Sequence, residues 1–90
     1  MKILPTPGFI AEYARLCKNN SVLQKKVDIK LSLLADNFRH PSLRLHKIVG
    51  KSAGFDPLYS ISVNKSIRLL IVFKSDNIYL YHIGKHEDVY

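Results

Sequence analysis

Ninety residues, 47% of them hydrophobic, are enough for one small-cored domain and too apolar for a disordered chain. Fourteen Lys and Arg against seven Asp and Glu give a formal charge of +7, which points to a polyanion or an acidic partner. The single cysteine, Cys17, excludes an internal disulfide and fits a reducing compartment.

The opening MKILPTPG has no apolar run of signal-peptide length. No segment approaches the roughly 20 apolar residues of a membrane span. A cytoplasmic protein is therefore expected.

Met1 to Thr6 reads as a short first strand, ended by Pro5 and Pro7. Phe9 to Lys18 reads as a helix, because Phe9, Tyr13, Leu16 and Cys17 recur on one helical face. Cys17 on that face predicts a core residue rather than a nucleophile. Asn19 and Asn20 stop the helix. Ser21, with Gln24 three residues on, reads as the capping box of a second helix. Its stripe is Leu23, Val27, Leu31 and Leu34, widened by Ile29 and Leu33. Lys25, Lys26 and Lys30 fall mainly on a solvated face. Asp36 and Asn37 end this helix, so the two form an antiparallel hairpin.

Phe38 to Ser42 reads as a loop containing His40-Pro41. Leu43 to Val49 is strand-like, with Leu43 and Leu45 opposite Arg44 and His46. Gly50 to Pro57 reads as a polar connection. Tyr59, Ile61 and Val63 alternate with serines in a half-buried strand. After a turn at Asn64 to Ser66, Ile67, Leu69, Ile71 and Phe73 define the core face of the next strand. Arg68 projects from the opposite face, near Ser60 or Ser62. Ile78 to Ile83 is apolar on both faces, which predicts a central or doubly covered strand. Gly84 is expected to break it, and a short polar tail follows.

The predicted fold is α+β. An N-terminal helical hairpin packs on one face of a mostly antiparallel sheet of four to five strands, in the order β-α-α-β-β-β-β, within one domain spanning 1–90. The uncovered face would carry Arg68 and the tail.

The tail IGKHEDVY, directly after a strand, resembles the C-terminal signature of the RelE/ParE superfamily of bacterial toxins. SISVNKSIRLLIVF is similar to that family's two middle strands, with an arginine early in the second. RHPSLRLHKIVG resembles its loop and strand after the helical hairpin, most like the YafQ-type branch. The resemblance implies a type II toxin, neutralised by an antitoxin protein. The RelE branch cuts mRNA in the ribosomal A site, whereas the ParE branch poisons DNA gyrase. A degenerate toxin that mainly binds its antitoxin is the third possibility.

Cutting RNA without a metal requires the 2′-hydroxyl to attack the adjacent phosphate, with proton transfer and a cation for the developing charge. His86 is the acid/base candidate, since histidine titrates near neutrality, and its position matches a histidine or arginine of the family that acts in cleavage. Arg68 is the phosphate clamp, because the guanidinium fork fits phosphate oxygens. Tyr90 matches an aromatic that closes the family motif and would position substrate by stacking. Lys85, Lys65, Lys51 and Lys47, with His40 and His82, are candidate RNA contacts. His82 and His86 are four apart, but Gly84 lies between them and the segment is not helical. No metal site and no cofactor is therefore expected. The pattern departs from RelE, whose strand before the arginine carries lysines where Ser60 and Ser62 stand here. It also lacks the YafQ-type strand histidine and Asp-Trp pair, and has His82 in place of an arginine.

Overall fold

The computed structural model describes residues 1–89, apart from the side chains of Glu87 and Asp88. The elements are β1 (Lys2–Pro5), α1 (Pro7–Cys17), α2 (Ser21–Asp36), a 3₁₀ turn (Pro41–Leu43), β2 (His46–Ala53), β3 (Asp56–Ser62), β4 (Ile67–Lys74), β5 (Asn77–Lys85) and a single helical turn, α3 (His86–Val89). The five strands form one sheet in the order β1-β5-β4-β3-β2. β1 runs parallel to β5 and every other pair is antiparallel. The helical hairpin covers one face, as the sequence predicts.

Local chemistry sets the helix ends. Thr6 caps α1: the Phe9 N–H donates to Thr6 Oγ1 at 3.3 Å, with Pro7 in the first turn. The same hydroxyl donates to the Leu80 carbonyl at 2.8 Å, tying the helix start to β5. The cap of α2 is Asn20, not Ser21. The Leu23 N–H donates to Asn20 Oδ1 at 3.1 Å, and Ser21 becomes the first helical residue. Asn19 takes the left-handed conformation (φ 57°) that ends α1, which leaves Asn20 to start the next helix. Asn20→Ala is expected to lower stability by about 1 kcal/mol in urea unfolding, and Ser21→Ala by much less.

The main core lies between the helices and the sheet. Phe9, Cys17, Leu23, Val27 and Leu34 meet Ile61, Leu69, Ile71, Ile78, Leu80 and Ile83 there. Cys17 is thus a core residue, and burial pushes its thiol pKa up. Ile29 does not widen the helical stripe: it is 65% exposed, because two residues beyond Val27 it points nearly to the opposite side of the helix. The two helices are also joined by the Tyr13 hydroxyl, which donates to Asp28 Oδ1 at 2.8 Å. Desolvation and the Asp28 carboxylate together push that phenol up to about 12.

The other sheet face is not bare. Leu58, Leu70 and Val72 form a second cluster there, backed by Ile48, Ala53, Tyr79, Tyr81 and by Val89 of the tail. This explains why β4 and β5 are apolar on both sides.

Three segments differ from the sequence reading. Leu43 is not in a strand. Pro41 starts a 3₁₀ turn that drives Leu43 into the core, and Arg44 follows in a left-handed conformation (φ 51°, ψ 45°). β2 therefore begins only at His46. It then extends through Gly50 to Ala53, so most of the expected connection is hairpin, with its turn at Gly54 and Phe55. Its register shifts between Lys47 and Ser52, where Gly50 (φ 80°) accommodates the irregularity. Finally, Gly84 does not break β5. The ladder continues, with Gly84 opposite Arg68 and Lys85 opposite Ile67. Pairing along the whole of β4 outweighs the modest cost of a glycine in a strand.

Candidate nucleic-acid site

The site is built at the end of the sheet where β3 turns into β4. Asn64 organises that turn: its Oδ1 accepts from the N–H groups of Ser66 and Ile67, both at 2.8 Å. Arg68 lies opposite Ser62 on one side and Gly84 on the other, as its place in the strand predicts. Glycine presents no side chain against it. The half-buried guanidinium donates through Nη1 to the carbonyls of Asn64 and Ile67, the latter at 3.1 Å. These bonds hold the fork at the turn and occupy one of its three nitrogens.

His86 arrives at the same turn from the other direction. Its backbone N–H donates to the Ser66 carbonyl at 2.9 Å, which fixes the start of α3 beside the β3–β4 turn. Lys65, in the turn three residues before Arg68, and Lys85, at the end of β5 directly before His86, are both exposed. The fold thus gathers Arg68, His86, Lys65 and Lys85 at one end of the sheet. Tyr90 lies outside the described residues.

A recess of about 320 Å³ opens on Arg68, lined by Lys30, Arg44, Ser62, Val63, Asn64, Lys65 and Arg68. Four of its seven lining residues are cations and none is acidic. Lys30 is not simply a solvated residue: its ammonium donates to the Ser42 carbonyl at 3.1 Å, bridging α2 to the loop before β2. Sequence reading missed Lys30 and Arg44 as site residues. Arg44 does stand in the RHPSLR segment, but nothing in the sequence places Lys30 across from it.

The remaining candidates lie elsewhere. His40 Nδ1 accepts from the Ser42 N–H at 3.2 Å and so caps the 3₁₀ turn. It lines a separate recess with Arg39, Pro41, Arg44 and Leu45. Lys47 and Lys51 lie on edge strand β2, around a recess that includes Phe55. His82 is held from α1. Its Nδ1 stands 3.1 Å from Glu12 Oε1, which also accepts from the Ile83 N–H at 3.3 Å. Glu12 thereby closes part of the outer edge of β5, which β1 pairs only as far as Leu80. The β4–β5 register skips Tyr81, leaving it as an extra residue and its ring edge-on to His82, with centroids 5.6 Å apart. Among the described residues, no group of three or more His, Cys, Asp or Glu side chains is gathered as a metal site. No described helix is long and apolar enough to cross a membrane.

This topology is the fold of the RelE/ParE-type toxins. Escherichia coli YafQ, solved in its toxin–antitoxin complex with DinJ, superposes with a TM-score of 0.77 at 14% identity, over 99% of this chain and 96% of that one. A metal-bound toxin from Helicobacter pylori gives 0.75 at 17% identity, over 100% and 99%. The Staphylococcus aureus YoeB dimer gives 0.70 at 19% identity, over 96% and 97%. No protein-family model and no curated protein sequence matches the chain.

Proposed function

We propose that this protein is the toxin of a type II toxin–antitoxin pair and that it cuts mRNA on the ribosome. The observation that carries this reading is that Arg68 and the backbone of His86 both lie at the β3–β4 turn, at one basic end of the sheet, in a fold shared with YafQ and YoeB.

In this reaction the substrate 2′-oxygen attacks the neighbouring phosphorus and the bond to the 5′-oxygen breaks. The products are a 2′,3′-cyclic phosphate and a 5′-hydroxyl. One proton leaves the 2′-hydroxyl and one reaches the 5′-oxygen, so none is consumed. His86 carries one of these transfers and solvent water the other. Arg68 offers its remaining N–H donors to the phosphate oxygens as charge builds on them. Tyr90 stacks on a base beside the scissile bond. The surrounding lysines hold the RNA backbone without reading sequence.

The partner that restrains it is an antitoxin with an acidic segment that orders on binding. A recess of about 420 Å³ on the second sheet face, where Ala53, Val72, Tyr79 and Tyr81 lie beside the Asp56–Lys74 ion pair, offers apolar surface for that segment's side chains.

A binding-only toxin, directed at gyrase or confined to its antitoxin, is favoured by one observation. Ser60 is fully buried, and the Ser62 hydroxyl donates to the Asn64 carbonyl at 3.0 Å. At these positions β3 therefore offers structural hydroxyls instead of cations.

Primer extension on a defined mRNA, with purified ribosomes, distinguishes the readings. The expected result is new ends at A-site codons, with the rate reduced by about 10²–10⁴-fold in His86→Ala. Intact mRNA from folded protein would overturn the nuclease, and inhibition of gyrase supercoiling would then identify the alternative.

A further inference from the structure

The recess beside Arg68 shares a wall with a second recess. Arg44 lines both: one with Lys30, Lys65 and Arg68, the other with Arg39, His40, Pro41 and Leu45. The two together bring five Lys and Arg residues and one histidine, and no carboxylate lines either. The bend that places Arg44 between them is local. Arg44 adopts φ 51° directly after the 3₁₀ turn, and its N–H donates to the Pro41 carbonyl at 3.1 Å.

We infer that these linked recesses form a track for single-stranded RNA, seating successive backbone phosphates from Arg68 past Arg44 to Arg39. The inference extends the RNA reading above to residues outside the cleavage site. Two observations favour a polynucleotide over an acidic peptide. The cations are spread over two adjoining recesses, which matches a chain carrying one charge per nucleotide. The walls are also poor in apolar side chains, with Val63, Leu45 and Pro41 the only ones, whereas a peptide that orders on binding needs apolar anchors. Those anchors have a place on the second sheet face, around Tyr79 and Tyr81. Three of the five cations are arginines, whose forks suit phosphate oxygens.

The test is fluorescence anisotropy with a labelled 2′-O-methyl oligouridylate, which lacks the attacking hydroxyl and reports binding without cleavage. Affinity is measured across a salt series for the parent protein, Arg44→Gln, Arg39→Gln and Lys30→Gln. The control is Lys25→Gln, an exposed cation on α2 outside both recesses. Each track variant is expected to weaken binding by about threefold or more and to flatten the salt slope by about 0.7 per lost contact. Lys25→Gln is expected to leave the slope unchanged. Circular dichroism melts check that each variant folds, and Arg39→Gln and Lys30→Gln keep the test decisive should Arg44→Gln unfold. Equal weakening by Lys25→Gln would overturn the track in favour of net charge alone, and so would absence of binding at low salt. If the variants lost affinity for polyglutamate but not for the oligouridylate, the occupant would be an acidic protein segment and the RNA track would be wrong. Failure of mRNA cleavage with track binding intact would count against the nuclease alone.

Discussion

Arg68→Ala is expected to reduce ribosome-dependent cleavage by about 10²–10³-fold, the usual loss when one preorganised donor to a developing charge is removed. Arg68→Lys is expected to recover little of it. A lysine keeps the charge but cannot bond two turn carbonyls through one nitrogen while presenting other nitrogens to a phosphate. Arg68 also braces the β3–β4 turn, so its loss is expected to lower stability as well, by about 1 kcal/mol. The two contributions separate experimentally. Cleavage rates are read under conditions where urea unfolding shows each variant to be fully folded. A variant that is destabilised yet cuts mRNA at the parental rate would reduce Arg68 to a turn residue.

The largest effect on the fold is expected at Ile71. It is fully buried at the centre of β4, paired with Tyr59 on one side and Leu80 on the other. Ile71→Ala removes packing from both the sheet and the helical layer above it, and a cost of about 2–5 kcal/mol follows. A small domain has only about 5–15 kcal/mol of stability in total, so this variant stands near its unfolding threshold. Ile29→Ala is the comparison, since that side chain is solvated and the change should stay within about 0.5 kcal/mol. Urea denaturation of both reads the difference directly, and similar midpoints would show that the core is not centred on β4.

The parts of this structure that were legible in the sequence are those written in side-chain period. β4 announces itself by the apolar face of Ile67, Leu69, Ile71 and Phe73 between two polar turns, and the partners of Arg68 follow once the hairpin register is set by the Asn64 turn. β5 reads as central because both its faces are apolar, and its position between β1 and β4 bears that out. Local competition was harder to read. Ser21 and Asn20 are both good caps, and only the left-handed Asn19 decides between them. LRLHKIV has a strand's pattern, yet Pro41 diverts its first residues into a 3₁₀ turn and buries Leu43. The extra residue at Tyr81 leaves no trace in composition. The two recesses draw on α2, the loop after it and the β3–β4 hairpin. Lys30 and Arg44 become neighbours only through tertiary packing, which no spacing rule records.

The parallel pairing of β1 with β5 has a consequence for the order of assembly. Ile3 finds its partner at Ile78, so the first strand of the sheet waits for the fifth before it has a neighbour. Thr6 likewise completes its bonds only when the Leu80 carbonyl is in place. During synthesis the helices can form early, but their apolar faces have no finished sheet to lie against until β5 has emerged from the exit tunnel. Such long-range closure is slow relative to local structure. A nascent chain whose fifth strand is still in the tunnel would hold Arg68 without its Gly84 partner and His86 without its place beside the β3–β4 turn. The β3–β4 end of the sheet is thus among the last parts of the fold to close, since both the Arg68–Gly84 pairing and the bond from the His86 N–H to the Ser66 carbonyl require β5.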